Sequence, residues 1–240
     1  MFGAWKRGFA RACASNRKAI YGLLASSPLK PQGTYLSNGS AFMIAPGLLV
    51  TAAHGIHIEN DPSKAHHQKF ELIRAPDVGQ KMEVATLVAV DDQKDLALLR
   101  IAPPRSSVCL KILKTRVPTG TPCGSLGFPL AQVVVTPQGS VNFNLVERFQ
   151  GANISAFGSE PVGKGNTLRY YETDSLMYGG SSGCPGFTAS GAVFGMQSRS
   201  VVEAPKAGEK GTAAGTRVAI SLWVASMEII AFAAANGVML

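Results

Sequence analysis

Short apolar runs, separated at close intervals by turn residues, restrict this chain to antiparallel β architecture. Ala19–Leu24, Ser40–Ile44, Leu48–Thr51, Phe70–Ile73, Glu83–Val90 and Leu96–Ile101 precede a break at Pro103-Pro104. Pro122–Gly127, Val133–Thr136, Val141–Val146, Ala152–Phe157, Leu168–Glu172, Gly183–Thr188, Val193–Ser198 and Arg217–Leu222 follow it. Asn38-Gly39, Pro46-Gly47, Pro137-Gln138-Gly139 and Gly163–Asn166 read as the turns between them. The 26 glycines and 14 prolines show no period, which excludes collagen and solenoid repeats. The pattern predicts an all-β chain of two small barrels and a terminal helix. Its division is a basic N-terminal extension over 1–17, a first barrel over 18–105, a second over 106–222 and a helix over 223–240.

With 240 residues, 46% of them hydrophobic and 16% charged, the chain can bury a sizeable core and does not read as disordered. Its net charge of +8 suggests nucleic acid until it is located. Residues 1–30 hold six basic residues and no acid, so the rest of the chain carries only +2. No basic face with interleaved aromatics is visible there, and no nucleic-acid partner is expected. In the extension, Trp5, Phe9 and Cys13 would align on a helix beside Lys6, Arg7 and Arg11. That profile fits an organelle-targeting peptide, a membrane-surface helix or a frayed extension of a soluble intracellular protein. The apolar stretch Val218–Leu240 contains Glu228, which a membrane span would place near mid-bilayer. A strand over Arg217–Leu222 and a helix over about Val224–Ala235 account for it without lipid. Cys13, Cys109, Cys123 and Cys184 form no CxxC pair and read as reduced, mostly buried residues. Nothing in the sequence speaks to oligomeric state.

Three local patterns carry chemistry. His54 ends Leu48-Leu49-Val50-Thr51-Ala52-Ala53-His54, a buried strand running into small residues. His57, His66 and His67 follow in a polar stretch that reads as a solvated loop, without a familiar metal-ligand spacing. Asp95 opens the almost wholly apolar Asp95-Leu96-Ala97-Leu98-Leu99, where a buried carboxylate needs a hydrogen-bond partner. Gly180-Ser181-Ser182-Gly183-Cys184-Pro185 presents a serine from a glycine-rich turn, as a nucleophile facing backbone oxyanion donors requires.

These segments, with Gly124–Pro129 and Thr173-Asp174, resemble the chymotrypsin-fold serine peptidases, and within them the HtrA/Deg-type (trypsin-like) peptidase domain, over about residues 18–225. The order His, Asp, Ser, with gaps of 41 and then 87 residues, is that of chymotrypsin. The resemblance implies two antiparallel six-stranded barrels with the active site between them. Ser182 would be nucleophile, His54 general base and Asp95 its orienting partner. The N–H groups of Gly180 and Ser182 would form the oxyanion hole, and no metal or organic cofactor is implied. The substrate would be protein or peptide. By the same resemblance, Leu176 and Met177 would sit at the base of the substrate pocket and favour cleavage after small to medium apolar residues. Ser181 stands where digestive members carry aspartate, and Cys184 replaces the usual glycine after the Ser-Gly pair. A PDZ module is not expected in this chain. An inactive pseudopeptidase that binds proteins, or a non-proteolytic serine esterase, would share these motifs.

Overall fold

The computed structural model describes residues 2–29, 33–74, 82–103, 108–130, 132–135, 141–163, 165–203 and 216–240. The first barrel consists of β1 (Ile20–Pro28), β2 (Thr34–Ala45), β3 (Leu48–Thr51), β4 (Lys69–Arg74), β5 (Glu83–Asp91) and β6 (Leu96–Arg100). They close antiparallel in the order β1-β2-β3-β6-β5-β4. Alternation along β5 leaves every second residue toward solvent, whereas Leu96, Ala97, Leu98 and Leu99 of β6 are all buried. That explains the unbroken apolar run: a strand covered on both faces has no polar side to present.

After the break the chain adds β7 (Pro122–Gly127), β8 (Gln132–Val135), β9 (Val141–Asn144), β10 (Arg148–Val162) and β11 (Asn166–Thr173). It then continues into β12 (Pro185–Thr188), β13 (Val193–Glu203) and β14 (Thr216–Ala225). The second barrel closes as β10-β11-β14-β13-β12-β7 around an aromatic core. Tyr171 meets Phe194 edge-on with ring centroids 5.3 Å apart, and Phe194 meets Trp223 at 5.6 Å. Their polar ends are satisfied, since Val117 N–H donates to the Tyr171 hydroxyl and Trp223 Nε1–H to Thr173 Oγ1.

Two sequence expectations are revised. β8 and β9 pair with each other as a separate hairpin, because β7 pairs directly with β10 and the ring has no edge left for them. Asn38-Gly39, read as a turn, lies inside β2. There a Cβ on Gly39 would sit 3.2 Å from the Ser182 carbonyl oxygen, so the glycine marks a close backbone approach.

The ends of the chain are helical. The basic N-terminus forms α1 (Phe2–Asn16), which docks on the second barrel. Phe9 is 3% exposed, 5.6 Å from the Phe149 ring and 6.3 Å from that of Phe187. Asn16 Nδ2 donates to the Gly191 carbonyl and Arg17 pairs with Glu147. The C-terminal α2 (Ser226–Ala235) follows β14 directly and packs against strands of both barrels. Among the described residues no helix is long and apolar enough to cross a membrane.

Candidate active site

His54 lies in a short 3-10 turn, Ala53–Ile56, entered directly from β3. Asp95 closes the turn from β5 to β6, and Ser182 lies in the loop between β11 and β12. The three side chains meet. His54 Nε2 is 2.8 Å from Ser182 Oγ, and His54 Nδ1 is 3.0 Å from both carboxylate oxygens of Asp95. The backbone N–H of His54 also donates to Asp95 Oδ1 at 2.9 Å, and Ala53 N–H donates to the Asp95 carbonyl. Asp95 adopts φ of 55°, a left-handed conformation that aspartate tolerates better than most residues.

This network fixes the imidazole. With Nδ1–H directed at the carboxylate, Nε2 keeps its lone pair for the Ser182 hydroxyl proton. Burial depresses the His54 pKa most strongly. The hydrogen bond and the charge of Asp95 together outweigh it and hold the imidazole above the ordinary histidine value.

The serine turn depends on its glycines. Gly180 and Gly183 have φ of 87° and 84°. A Cβ would fall 2.6 Å from the Phe128 carbonyl oxygen at Gly180 and 1.9 Å from the Ser40 carbonyl oxygen at Gly183. Among the described residues no backbone acceptor takes the N–H of Gly180 or of Ser182. Two unengaged donors beside a serine hydroxyl can receive an oxyanion. The Ser181 hydroxyl is buried without a hydrogen-bond partner among the described residues.

Cys184 packs beneath this turn. A Cβ on Gly127 would lie 1.9 Å from its Sγ, so the thiol fills the space that glycine leaves open. Burial pushes the Cys184 thiol up to about 11, which keeps it protonated near neutrality.

A cavity of about 230 Å³ opens beside Ser182, walled by Met177, Tyr178, Gln197, Ser198, Arg199 and Ser200 among others. Met177 is one of the lining residues. Leu176 does not line the cavity; it is half-buried, and its carbonyl accepts from Gln150 Nε2 at 3.0 Å. A second cavity of about 310 Å³ lies beyond His54 and Asp95, and Arg199 borders both.

The polar histidine stretch is more buried than expected. His57 is 2% exposed and His67 3%, each with polar partners: His57 bonds Asp92 and the Lys64 carbonyl, and His67 Nε2 bonds Ser37 Oγ. Among the described residues no group of three or more His, Cys, Asp or Glu side chains gathers as a metal site.

Several contributors carried no sequence signal. Ser198 Oγ donates to Asp95 Oδ2, yet in sequence it is one serine in a Gln-Ser-Arg-Ser run. Ser40 of β2 ties the serine loop to β3 and to the end of β7. Its N–H donates to the Ser182 carbonyl, its hydroxyl to the Gly180 carbonyl, and it accepts from Phe128 N–H and Thr51 Oγ1. The turn before β6 is anchored across the barrels by three successive residues. Gln93 Oε1 accepts from Asn166 Nδ2, Lys94 pairs with Glu228 of α2, and Asp95 accepts from Ser198.

A trypsin-like peptidase domain matches residues 39–196, a span that contains His54, Asp95 and Ser182. The chain belongs to the trypsin-like peptidase family. A relative in Sinorhizobium fredii, the uncharacterized protein y4bJ, is 30% identical over 173 residues, which is 71% of this chain. This trypsin-like chain spans only 23% of that protein's length. Among solved structures, the active form of the Rv3671c protease from M. tuberculosis superposes with a TM-score of 0.64 at 20% identity, covering 95% of this chain and 85% of that one. Its inactive form gives a TM-score of 0.64 at 18% identity, with coverage of 94% and 92%. At these identities the likeness is one of fold, and the fold is the chymotrypsin double barrel.

Proposed function

We propose that this protein is a serine endopeptidase acting through His54, Asp95 and Ser182. The observation that carries the reading is His54, bridging Ser182 Oγ at 2.8 Å and Asp95 at 3.0 Å. Ser182 Oγ attacks the peptide carbonyl while His54 Nε2 takes its proton. The tetrahedral oxyanion is received by the N–H groups of Gly180 and Ser182. His54 then delivers the proton to the leaving amine, and an acyl-enzyme ester on Ser182 remains. Water, deprotonated by the same nitrogen, hydrolyses that ester. Asp95 orients the ring and stabilises its charged form, held in turn by Ser198.

On this reading the barrel over 18–105 contributes His54 and Asp95 and the barrel over 106–222 contributes Ser182, with 1–17 and 223–240 bracing them. The residue before the cut is small to medium-sized and apolar. Met177 supplies an apolar wall, and the cavity lining holds no carboxylate to pair with a substrate cation. Turnover of matched peptide and ester substrates by wild type, Ser182→Ala and His54→Ala tests the proposal. Peptide hydrolysis lost in both variants supports it, whereas a wild type that cleaves esters and no peptide contradicts it.

A further inference from the structure

We propose that Leu130 is a positioning residue for the oxyanion hole: its backbone N–H holds the peptide between Gly179 and Gly180 in the orientation that offers the Gly180 N–H to substrate. The inference rests on the peptidase reading and adds a residue to its machinery. Tyr178 to Ser181 form a tight turn, closed by Ser181 N–H donating to the Tyr178 carbonyl at 3.1 Å. Gly180, the third residue of that turn, has φ of 87°, the value of a type II turn. Type I and type II turns differ by a half-rotation of their central peptide, and here that peptide carries the Gly180 N–H. Glycine at both central positions lets the chain adopt either form. A contact from outside the turn has to choose.

That contact is Leu130, whose N–H donates to the Gly179 carbonyl at 2.7 Å. In a planar trans peptide the carbonyl and the next N–H point opposite ways, so this bond turns the Gly180 N–H away from Leu130. There it meets no backbone acceptor among the described residues, as an oxyanion donor requires. After a half-rotation the Gly179 carbonyl would take its place and repel the oxyanion. The following peptide is held separately, since Ser40 Oγ donates to the Gly180 carbonyl at 3.0 Å. Leu130 itself adopts φ of 60°, a left-handed conformation unfavourable to leucine. Its side chain is 52% exposed, so burial offsets little of that cost. A strained residue persists where its surroundings require it, and the bond from its own N–H supplies the requirement.

The test is kcat and KM for one peptide substrate with wild type, Leu130→Gly, Leu130→Asn and Leu130→Val, each with a thermal melt. Glycine and asparagine accept left-handed backbone, and β-branched valine resists it. We expect Leu130→Gly and Leu130→Asn to keep at least the wild-type kcat. Leu130→Val should lose about tenfold or more in kcat with KM nearly unchanged. A kcat that follows side-chain apolarity, with Leu130→Val nearest wild type, overturns the proposal, and so does a flat series. If Leu130→Val does not fold, replacing Leu130 by its α-hydroxy acid, which removes only the N–H, carries the comparison. A kcat lowered by about tenfold or more supports the proposal there, and an unchanged kcat overturns it. Fluorophosphonate labelling of wild type separates the failures. Labelling at Ser182 with kcat indifferent to these changes defeats this inference alone, and no labelling defeats the peptidase reading.

Discussion

Lys94 Nζ lies 2.7 Å from a carboxylate oxygen of Glu228, joining the turn that carries Asp95 to the C-terminal helix. Glu228 is 1% exposed, and its other oxygen accepts from Arg169 Nε of β11 at 2.5 Å. One buried carboxylate thus gathers cations from both barrels, and one of them, Lys94, is the residue before Asp95. The two barrels must stay aligned for His54 and Asp95 of one to meet Ser182 and Ser198 of the other.

Glu228→Gln is expected to lower stability by about 2–4 kcal/mol, because two cations lose the charge that compensates their partial burial. Lys94→Met and Arg169→Met each remove one cation. Thermal melts should show similar losses, while kcat/KM should fall more in Lys94→Met, because Lys94 directly precedes Asp95 in the turn. Equal kinetic losses in the two would show that the cluster supports the fold without positioning the carboxylate.

Asp95→Asn should reduce turnover by about 10⁴ and leave a measurable remainder. The pH profile of that remainder gives a second readout. Wild-type activity requires neutral His54, so it falls as pH drops through a His54 pKa raised above the ordinary value of about 6.5. Without the Asp95 charge, burial alone acts on the imidazole, and the acid limb should move below that value. The same shift has a stability consequence. The contribution of the charged His54–Asp95 pair is complete below the ordinary histidine pKa and is lost as pH rises through the raised one.

Much of this was legible because the signals were local. The apolar runs and turn residues placed most strands, and His54, Asp95 and Ser182 each sit in a short segment whose chemistry is unusual for its surroundings. Partners brought by folding were not legible. Ser198 looks like any surface serine until β13 passes Asp95. Glu228 reads as an interruption in an apolar tail, and only the packing of α2 reveals the cations it gathers. Asn38-Gly39 has turn composition, but the approach of the Ser182 backbone uses the glycine inside a strand instead. Leu176 is a pocket residue by family resemblance alone, and the local path of the chain takes it out of the cavity.

Gly127→Ala should prevent folding or lower the melting temperature severely, since the new methyl would overlap Cys184 Sγ. Adding Cys184→Gly removes the obstructing thiol and should restore a cooperative melt. If the double variant is no more stable than Gly127→Ala alone, the space at Gly127 is not set by Cys184.

Phe9→Ala should cost about 3 kcal/mol, a drop of roughly 6–12 °C in Tm for a chain of this size. Phe9 is buried against Phe149 and Phe187, neither of which is an active-site residue. Probe labelling below the lowered melting temperature should therefore be retained. Loss of labelling in folded Phe9→Ala would give α1 a role in the site beyond packing.

The central claim is that Ser182 is a nucleophile activated by His54. Its most direct measurement is mass-spectrometric mapping of the residue modified by a fluorophosphonate probe in folded wild type and in His54→Ala. The account predicts a single adduct on Ser182 in wild type, formed at least about 10³ times more slowly in His54→Ala. An adduct on another residue, or equal rates on Ser182 in both proteins, would contradict it.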